Sequence, residues 1–91
     1  MAEQLDFVLN LTDNFKKTYK KIVKNEEMEK RIFKTLEILK TNPYHPSLRT
    51  HKVKKFRSSW VHGDLRIIWQ FSKNEVKIID ILDLGNHGQV Y

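Results

Sequence analysis

Residues 60–71 constrain the fold more than any other part of the chain. Apolar side chains occupy every second position from Leu65 to Phe71, and this period of two is typical of a β-strand with one buried face. The opposite face also carries Ile68, so we predict a central strand over this stretch rather than an edge strand. Arg66 is the exception on that face, because a guanidinium near the middle of a sheet is costly unless a partner or a bound anion compensates its charge.

Alternating apolar residues predict three further strands, at residues 5–11, 49–57 and 76–82. We expect a turn at Ser58-Ser59, which leads into the central strand, and another turn at residues 72–75.

Two amphipathic helices are predicted between the first two strands. Apolar residues recur at helical spacing over residues 13–24 and again from Glu26 onward. The second helix should end near Asn42, because Pro43 disfavours helix in the residue before it. The predicted fold class is therefore α+β in the order β-α-α-β-β-β, with a two-helix hairpin packed on a small, mainly antiparallel four-stranded sheet. We expect residues 1–91 to form a single domain, with the first strand at an edge of the sheet.

Composition and charge limit the classes of function that this chain can have. The 91 residues contain no cysteine, which excludes disulfides and thiolate metal sites. The sequence has no signal peptide and no apolar run of membrane-spanning length, so we expect a cytoplasmic protein. The net charge of +6 favours a polyanionic partner such as nucleic acid, the ribosome, anionic lipid or an acidic protein, although it also serves solubility.

Cations and aromatic rings are interleaved in the segment 49–66, which has a single acidic residue, Asp64. This pattern suits single-stranded nucleic acid, since cations bind phosphates and flat rings stack on bases. The alternative is a solvated β-hairpin whose lysines protect a sheet edge. We predict RNA binding by Arg49, Lys52, Lys54, Lys55, Arg57 and Trp60.

Cleavage of RNA through its 2′-hydroxyl needs a base, an acid and a cation beside the phosphate, roles that imidazole and guanidinium groups can fill. His87 follows the last predicted strand in a glycine-flanked turn. If the last two strands pair, His87 returns to the end of the sheet where it could meet His62, Asp64 and Arg66. The spacing of the four histidines does not match a metal site, so we expect neither a metal nor a cofactor.

Two stretches resemble the RelE/ParE superfamily of bacterial toxins, namely Gly63-Asp64-Leu65-Arg66-Ile67-Ile68-Trp69 and the ending Leu84-Gly85-Asn86-His87-Gly88-Gln89-Val90-Tyr91. Within the superfamily the chain is most similar to the mRNA interferases of the RelE, YafQ and YoeB types. The resemblance implies a metal-independent endoribonuclease of a type II toxin–antitoxin system. Such toxins cleave mRNA, typically on the ribosome, inhibit translation and are neutralised by a small cognate antitoxin.

The resemblance also implies roles for single residues. Arg66 becomes the arginine that stabilises the transition state, His87 the general acid or base, and Tyr91 the aromatic residue that orients the substrate. Auxiliary catalytic groups are implied at His51, His62 and Asp64. The chain departs from its relatives at Gly88, where many carry a basic residue, and it lacks a clear match to the catalytic glutamate of the YoeB branch.

Several alternatives stay open. Arg66 could pair with Asp64 or Asp83, His87 could only close a turn, and Tyr91 could be a packed ring. The protein could also be a ParE-like poison of DNA gyrase, which needs no catalytic histidine. A third possibility is a non-catalytic binding module with a decayed nuclease site.

Overall fold

The computed structural model describes residues 6–86. These residues form five strands, two α-helices and one short 3₁₀ helix. Their bounds are β1 (Val8–Leu11), α1 (Asp13–Ile22), α2 (Glu26–Thr41), the 3₁₀ helix (Pro46–Leu48), β2 (His51–Val53), β3 (Phe56–His62), β4 (Leu65–Phe71) and β5 (Ile78–Asn86).

The strands form one sheet in the order β1-β5-β4-β3-β2. β2 to β5 run antiparallel to their neighbours, while β1 joins the edge of β5 in parallel. The α+β class, the mainly antiparallel sheet and the edge position of the first strand are therefore confirmed. The sheet has five strands among the described residues, where the sequence predicted four.

The extra strand arises because two turns, near Lys54 and at Gly63-Asp64, replace the single turn that was predicted at Ser58-Ser59. Residues 60–71 are not one strand, since a turn at Gly63 and Asp64 separates β3 from β4, with Gly63 at a φ of +54°. The predicted turn at Ser58-Ser59 was wrong, because both serines lie fully buried inside β3. The preceding turn falls instead near Lys54, whose φ is +56°.

Both helices begin at side chains that cap them. The Thr12 hydroxyl accepts a hydrogen bond from the Phe15 backbone amide, and the Asn25 side chain accepts one from Met28. Such caps satisfy amide groups that the first turn of a helix leaves without partners. The Thr12 hydroxyl also donates to the Ile81 carbonyl of β5, so the cap fixes the start of α1 against the sheet.

The two helices cover one face of the sheet. Fully buried residues from α2, β4 and β5 form the centre of this core, among them Ile32, Leu39, Ile67, Trp69 and Ile81. Paired residues on neighbouring antiparallel strands share a face. The pairs Trp60–Arg66 and Ser58–Ile68 therefore lie on the opposite face, which we call the open face. Ser58 and Ile68 are themselves buried there.

Candidate active site

Arg66 and Trp60 are paired across β3 and β4 on the open face, beside the turn that joins these strands. The Arg66 Nη1 atom donates to the carbonyl oxygens of Gly63, at 3.1 Å, and Leu65, at 3.4 Å. The Trp60 indole N–H also donates to the Gly63 carbonyl, at 2.8 Å. One turn carbonyl thus orients both side chains.

The described hydrogen bonds of the Arg66 guanidinium go to backbone carbonyls. In the part of the chain that the structure describes, it forms no salt bridge with Asp64 or Asp83. The Asp83 carboxylate instead accepts hydrogen bonds from the Thr18 hydroxyl and the Leu84 amide. Since carbonyl oxygens are neutral, the hydrogen bonds of Arg66 orient its positive charge without compensating it.

Arg49 and His51 complete a group of four side chains that we call the open-face cluster. The Arg49 guanidinium carbon lies 4.6 Å from the centroid of the Trp60 ring, in cation–π geometry. His51 is paired with Ser58, which places it on the same face as Trp60. Its Nδ1 lies 3.1 Å from the Arg49 carbonyl, and because that oxygen can only accept, Nδ1 carries the proton in the neutral ring.

His62 and Asp64 lie beside a different surface. The register of β3 and β4 shifts between Trp60 and His62, and the His62 Nδ1 lies 3.2 Å from Nη1 of Arg31 on α2. Because a guanidinium only donates, Nδ1 accepts this hydrogen bond. Arg31 also forms a salt bridge of 3.0 Å with Glu27. These groups line a cleft of about 500 Å³ between the start of α2 and the β3–β4 turn.

The predicted residues His87 and Tyr91 lie outside the described residues. The last described residue, Asn86, is paired with Leu65 at the start of β4. β5 therefore ends beside Arg66, at the same end of the sheet as the open-face cluster.

The predicted RNA-binding cations are divided between surfaces. Arg57 is paired with Trp69 of the core, and its guanidinium carbon lies 6.0 Å from the Trp69 ring and 5.4 Å from the Phe71 ring. Its Nε donates to the Tyr44 hydroxyl at 2.9 Å. Lys52 shares the face of Arg57 but is exposed, as are Lys54 and Lys55 at the β2–β3 turn. Arg57 is thus packed against aromatic rings, away from the open-face cluster.

Sequence reasoning missed Arg31 and Glu27 as neighbours of His62. Their spacing of four residues predicts a helical ion pair, but nothing in the sequence connects them with a histidine 31 positions further along. Over residues 6–86, no group of three or more histidine or acidic side chains is arranged to hold a metal ion. No helix within the same range is long and apolar enough to cross a membrane.

Solved structures share this fold. A chain of the DinJ–YafQ toxin–antitoxin complex of E. coli is 16% identical, with a TM-score of 0.66 over 91% of this chain and 94% of that chain. The Staphylococcus aureus YoeB–YefM complex matches at 18% identity and a TM-score of 0.67, over 93% and 99% of the two chains. A YoeB/ParE toxin from Agrobacterium tumefaciens matches at 12% identity and 0.67, over 88% and 98%. At sequence identities this low, these likenesses establish only that the fold is shared.

The family comparison is more specific. No curated protein sequence matches the chain. The family model described as the ParE toxin of type II toxin–antitoxin systems matches residues 9–91, which is nearly the whole chain. The chain therefore belongs to the ParE toxin family, within the RelE/ParE superfamily of type II toxin–antitoxin toxins.

Proposed function

We propose that this toxin is a metal-independent endoribonuclease that cleaves mRNA on the ribosome and thereby inhibits translation. The observation that carries this proposal is the guanidinium of Arg66, which has no acidic partner among residues 6–86 and is held by backbone carbonyls beside Trp60 at one end of the open face. Cleavage begins when the 2′-hydroxyl of a nucleotide attacks the adjacent phosphate, and negative charge then builds on the phosphate oxygens. A preoriented cation stabilises that charge more than it stabilises the ground state.

Two histidines are candidates for the proton transfers. His51 lies in the open-face cluster, and its Nδ1–H bond to the Arg49 carbonyl leaves Nε2 as the basic atom of the neutral ring. His87 is next in sequence to Asn86, whose partner Leu65 adjoins Arg66. We assign His87 the general acid or base role and His51 an auxiliary one, and we expect Tyr91 to orient the substrate.

His62 and Asp64 have a supporting role in this proposal. They lie on the far side of the β3–β4 turn from Arg66, beside Arg31 and Glu27. The His62 Nδ1 accepts the Arg31 hydrogen bond, so His62 helps to hold this turn against α2. The same β3–β4 turn supplies the Gly63 carbonyl that orients Arg66.

Bound RNA would follow the open face. Trp60 offers a ring for base stacking, with Arg49 beside it, and stacking of one base contributes about 1–3 kcal/mol. Exposed cations near β2 supply phosphate contacts, namely Arg49 beside Trp60 and Lys54 and Lys55 at the β2–β3 turn, whereas Lys52 lies on the face of Arg57. Translated mRNA as the target also implies a cytoplasmic location.

A cognate antitoxin is the proposed protein partner. The family is that of type II toxin–antitoxin systems, and two of the similar structures are complexes of a toxin with an antitoxin. The net charge of +6 favours an acidic partner, because opposite charges accelerate association and oppose wrong pairings.

A second candidate is a ParE-like poison of DNA gyrase. The specific observation that favours it is the match of residues 9–91 to the ParE family model. That activity requires no histidine chemistry, so the two candidates predict different consequences of removing His87.

The deciding experiment maps RNA 5′ ends in cells after induction of the wild type, Arg66→Ala, His87→Ala and Lys73→Ala. Lys73 is exposed in the β4–β5 turn, so its variant controls for the loss of a positive charge elsewhere. We expect new 5′ ends inside translated messages for the wild type and the control. Both site variants should reduce cleavage by about a hundredfold or more, the range expected for loss of acid–base catalysis or of a charge-stabilising group.

Growth arrest without new 5′ ends in the wild type would instead support gyrase poisoning. Growth without arrest would indicate a decayed nuclease retained for binding. With purified protein, Arg66→Ala should lower the cleavage rate far more than the RNA affinity, and equal losses would make Arg66 a docking residue only.

A further inference from the structure

A chain of contacts links helix α2 to the β3–β4 turn. The Arg31 guanidinium stands between two partners, with Nη2 3.0 Å from a carboxylate oxygen of Glu27 and Nη1 3.2 Å from the Nδ1 atom of His62. Glu27 and Arg31 are one helical turn apart, so their ion pair holds the guanidinium along the surface of the helix. Arg31 is thus fixed on α2 at one end and bound to the end of β3 at the other.

His62 reaches the open-face cluster by two routes. Along the backbone it precedes Gly63, whose carbonyl oxygen accepts hydrogen bonds from both Trp60 and Arg66. Through space the His62 ring contacts the Trp60 ring, with centroids 6.4 Å apart and planes at 41°. A displacement of His62 would therefore disturb both the carbonyl that orients Arg66 and the aromatic ring beside it.

The end of β3 is where the sheet restrains the chain least. β2 pairs with β3 only from Phe56 to Ser58, so beyond Ser58 the structure of residues 6–86 pairs β3 with β4 alone. The register of β3 and β4 also shifts between Trp60 and His62, and such an irregularity interrupts the ladder of backbone hydrogen bonds. A contact from α2 therefore restrains the turn at the point where strand pairing is weakest.

We propose that Arg31 is a positioning residue of the nuclease, which holds the β3–β4 turn through His62 and thereby fixes the orientation of Arg66 and Trp60. A cation that is already oriented needs no reorganisation when charge builds on the phosphate. The inference deepens the ribonuclease function proposed above and rests on it for the kinetic part of its test. Because the Arg31 side chain is 44% exposed, direct contact with RNA is the alternative that the test separates from positioning.

The structural part of the test follows the two tryptophan indole N–H signals of the free toxin by NMR. Trp60 donates to Gly63, whereas Trp69 donates to buried Ser59 and serves as an internal reference for the core. We expect Arg31→Ala to shift the Trp60 signal and to leave the Trp69 signal in place. Since the sample contains no RNA, this result does not depend on nuclease activity.

The kinetic part measures single-turnover cleavage of mRNA on programmed ribosomes over a range of toxin concentrations. Arg31→Ala should lower the maximal rate by about tenfold, because misorientation of a charge-stabilising group acts in the transition state. The toxin concentration at half-maximal rate should change by less than about twofold. An increase in that concentration at an unchanged maximal rate would overturn the proposal and make Arg31 an RNA-docking residue.

A conservative variant separates positioning from proton transfer at His62. His62→Ala should lower the maximal rate as much as Arg31→Ala does. His62→Asn should recover most of that loss, because an amide oxygen can accept the Arg31 hydrogen bond although an amide does not exchange protons near neutral pH. Equal losses in His62→Ala and His62→Asn would overturn the proposal and assign His62 to proton transfer.

Two lysines of α2 supply matched controls. Lys30 forms an ion pair with Glu26 at the same spacing as Arg31 with Glu27, so Lys30→Ala removes an equivalent pair from the helix surface. Lys34 borders, together with Trp60, a cavity of about 180 Å³, so Lys34→Ala controls for the loss of a positive charge near the indole. Both controls should leave the rate within about twofold and the Trp60 signal in place. Thermal melting checks that every variant folds.

The two parts of the test fail separately. An unmoved Trp60 signal in Arg31→Ala, together with a rate within about twofold of the wild type, would overturn the positioning role. A shifted Trp60 signal in Arg31→Ala, with no cleavage by the wild type, would support the role of Arg31 in orienting the cluster and refute the proposed nuclease.

Discussion

Replacement of Ser59 by alanine should destabilise the toxin far more than the loss of one hydroxyl from a surface strand. Ser59 is fully buried in β3, and its hydroxyl oxygen accepts the indole N–H of fully buried Trp69 at 2.7 Å. Ser59 and Thr50 hydroxyls lie 2.7 Å apart, and Thr50 donates to the Pro43 carbonyl at 2.8 Å. Because the Pro43 carbonyl only accepts, the Thr50 hydroxyl donates to it and must itself accept from the Ser59 hydroxyl. Each hydrogen bond from Trp69 to Pro43 therefore has one fixed direction.

The magnitude follows from what the substitution leaves behind. Alanine removes the acceptor of a buried N–H, and an unsatisfied buried donor costs about 1–3 kcal/mol. Over residues 6–86, every buried side-chain nitrogen and oxygen of the wild type has a hydrogen-bond partner, and the substitution would break this complete pairing. We expect a loss of about 2 kcal/mol in the free energy of unfolding, which corresponds to a fall of about 8–16 °C in Tm for a domain of this size.

Urea unfolding followed by tryptophan fluorescence measures this loss. Ser72→Ala is the matched control, because the Ser72 hydroxyl accepts the Asn74 and Glu75 amides in a turn where water can replace it. The control should lose less than about 0.5 kcal/mol. A loss below about 0.5 kcal/mol for Ser59→Ala would refute the reasoning, since it would mean that Trp69 finds another acceptor or that water enters the core.

Two further predictions concern side chains that the structure explains. Arg57→Ala should lower the free energy of unfolding by about 1 kcal/mol, because it removes the contacts with Trp69 and Phe71. RNA affinity in a filter-binding assay should fall less than threefold. A larger fall in affinity, with stability unchanged, would return Arg57 to the RNA-binding surface. Burial and the hydrogen bond to Glu29 raise the pKa of Tyr19 to about 12. As the pH rises, the unfolded chain therefore loses the Tyr19 proton before the folded chain does, and the free energy of unfolding should decline between pH 10 and pH 12. The decline should be steeper in the wild type than in Tyr19→Phe, as measured by urea unfolding at pH 9 and pH 11. Parallel declines would contradict the raised pKa.

The sequence predicted the kinds of elements well because periodicity reports which faces are buried. Leu65, Ile67 and Trp69 alternate in the sequence and all lie in the core. The positions of the turns were harder to predict from the sequence. Two adjacent serines read as a turn by their polarity, but the partners that allow Ser59 to be buried, Trp69 and Thr50, are about ten residues away in the chain.

The candidate site was predicted in part. Arg66 and Trp60 share one face, as the interleaved pattern suggested, but His62 lies beside α2 because the register shifts between Trp60 and His62. A shift of one residue turns a side chain to the other face, and no sequence period signals such a shift. Arg57 reads as one more cation in a basic segment, yet strand alternation pairs it with Trp69 of the core.

The position of β5 determines when the complete sheet can first form. β5 is the last of the described elements in the chain, yet it lies between β1 and β4 and joins the first strand to the rest of the sheet. Until residues 78–86 have emerged during translation, β1 has no partner strand and the core residues Ile79 and Ile81 are missing. Such long-range pairing forms late and slowly compared with local contacts. A chain that stops before Ile78 therefore lacks the strand that joins β1 to β4, and the complete sheet cannot form.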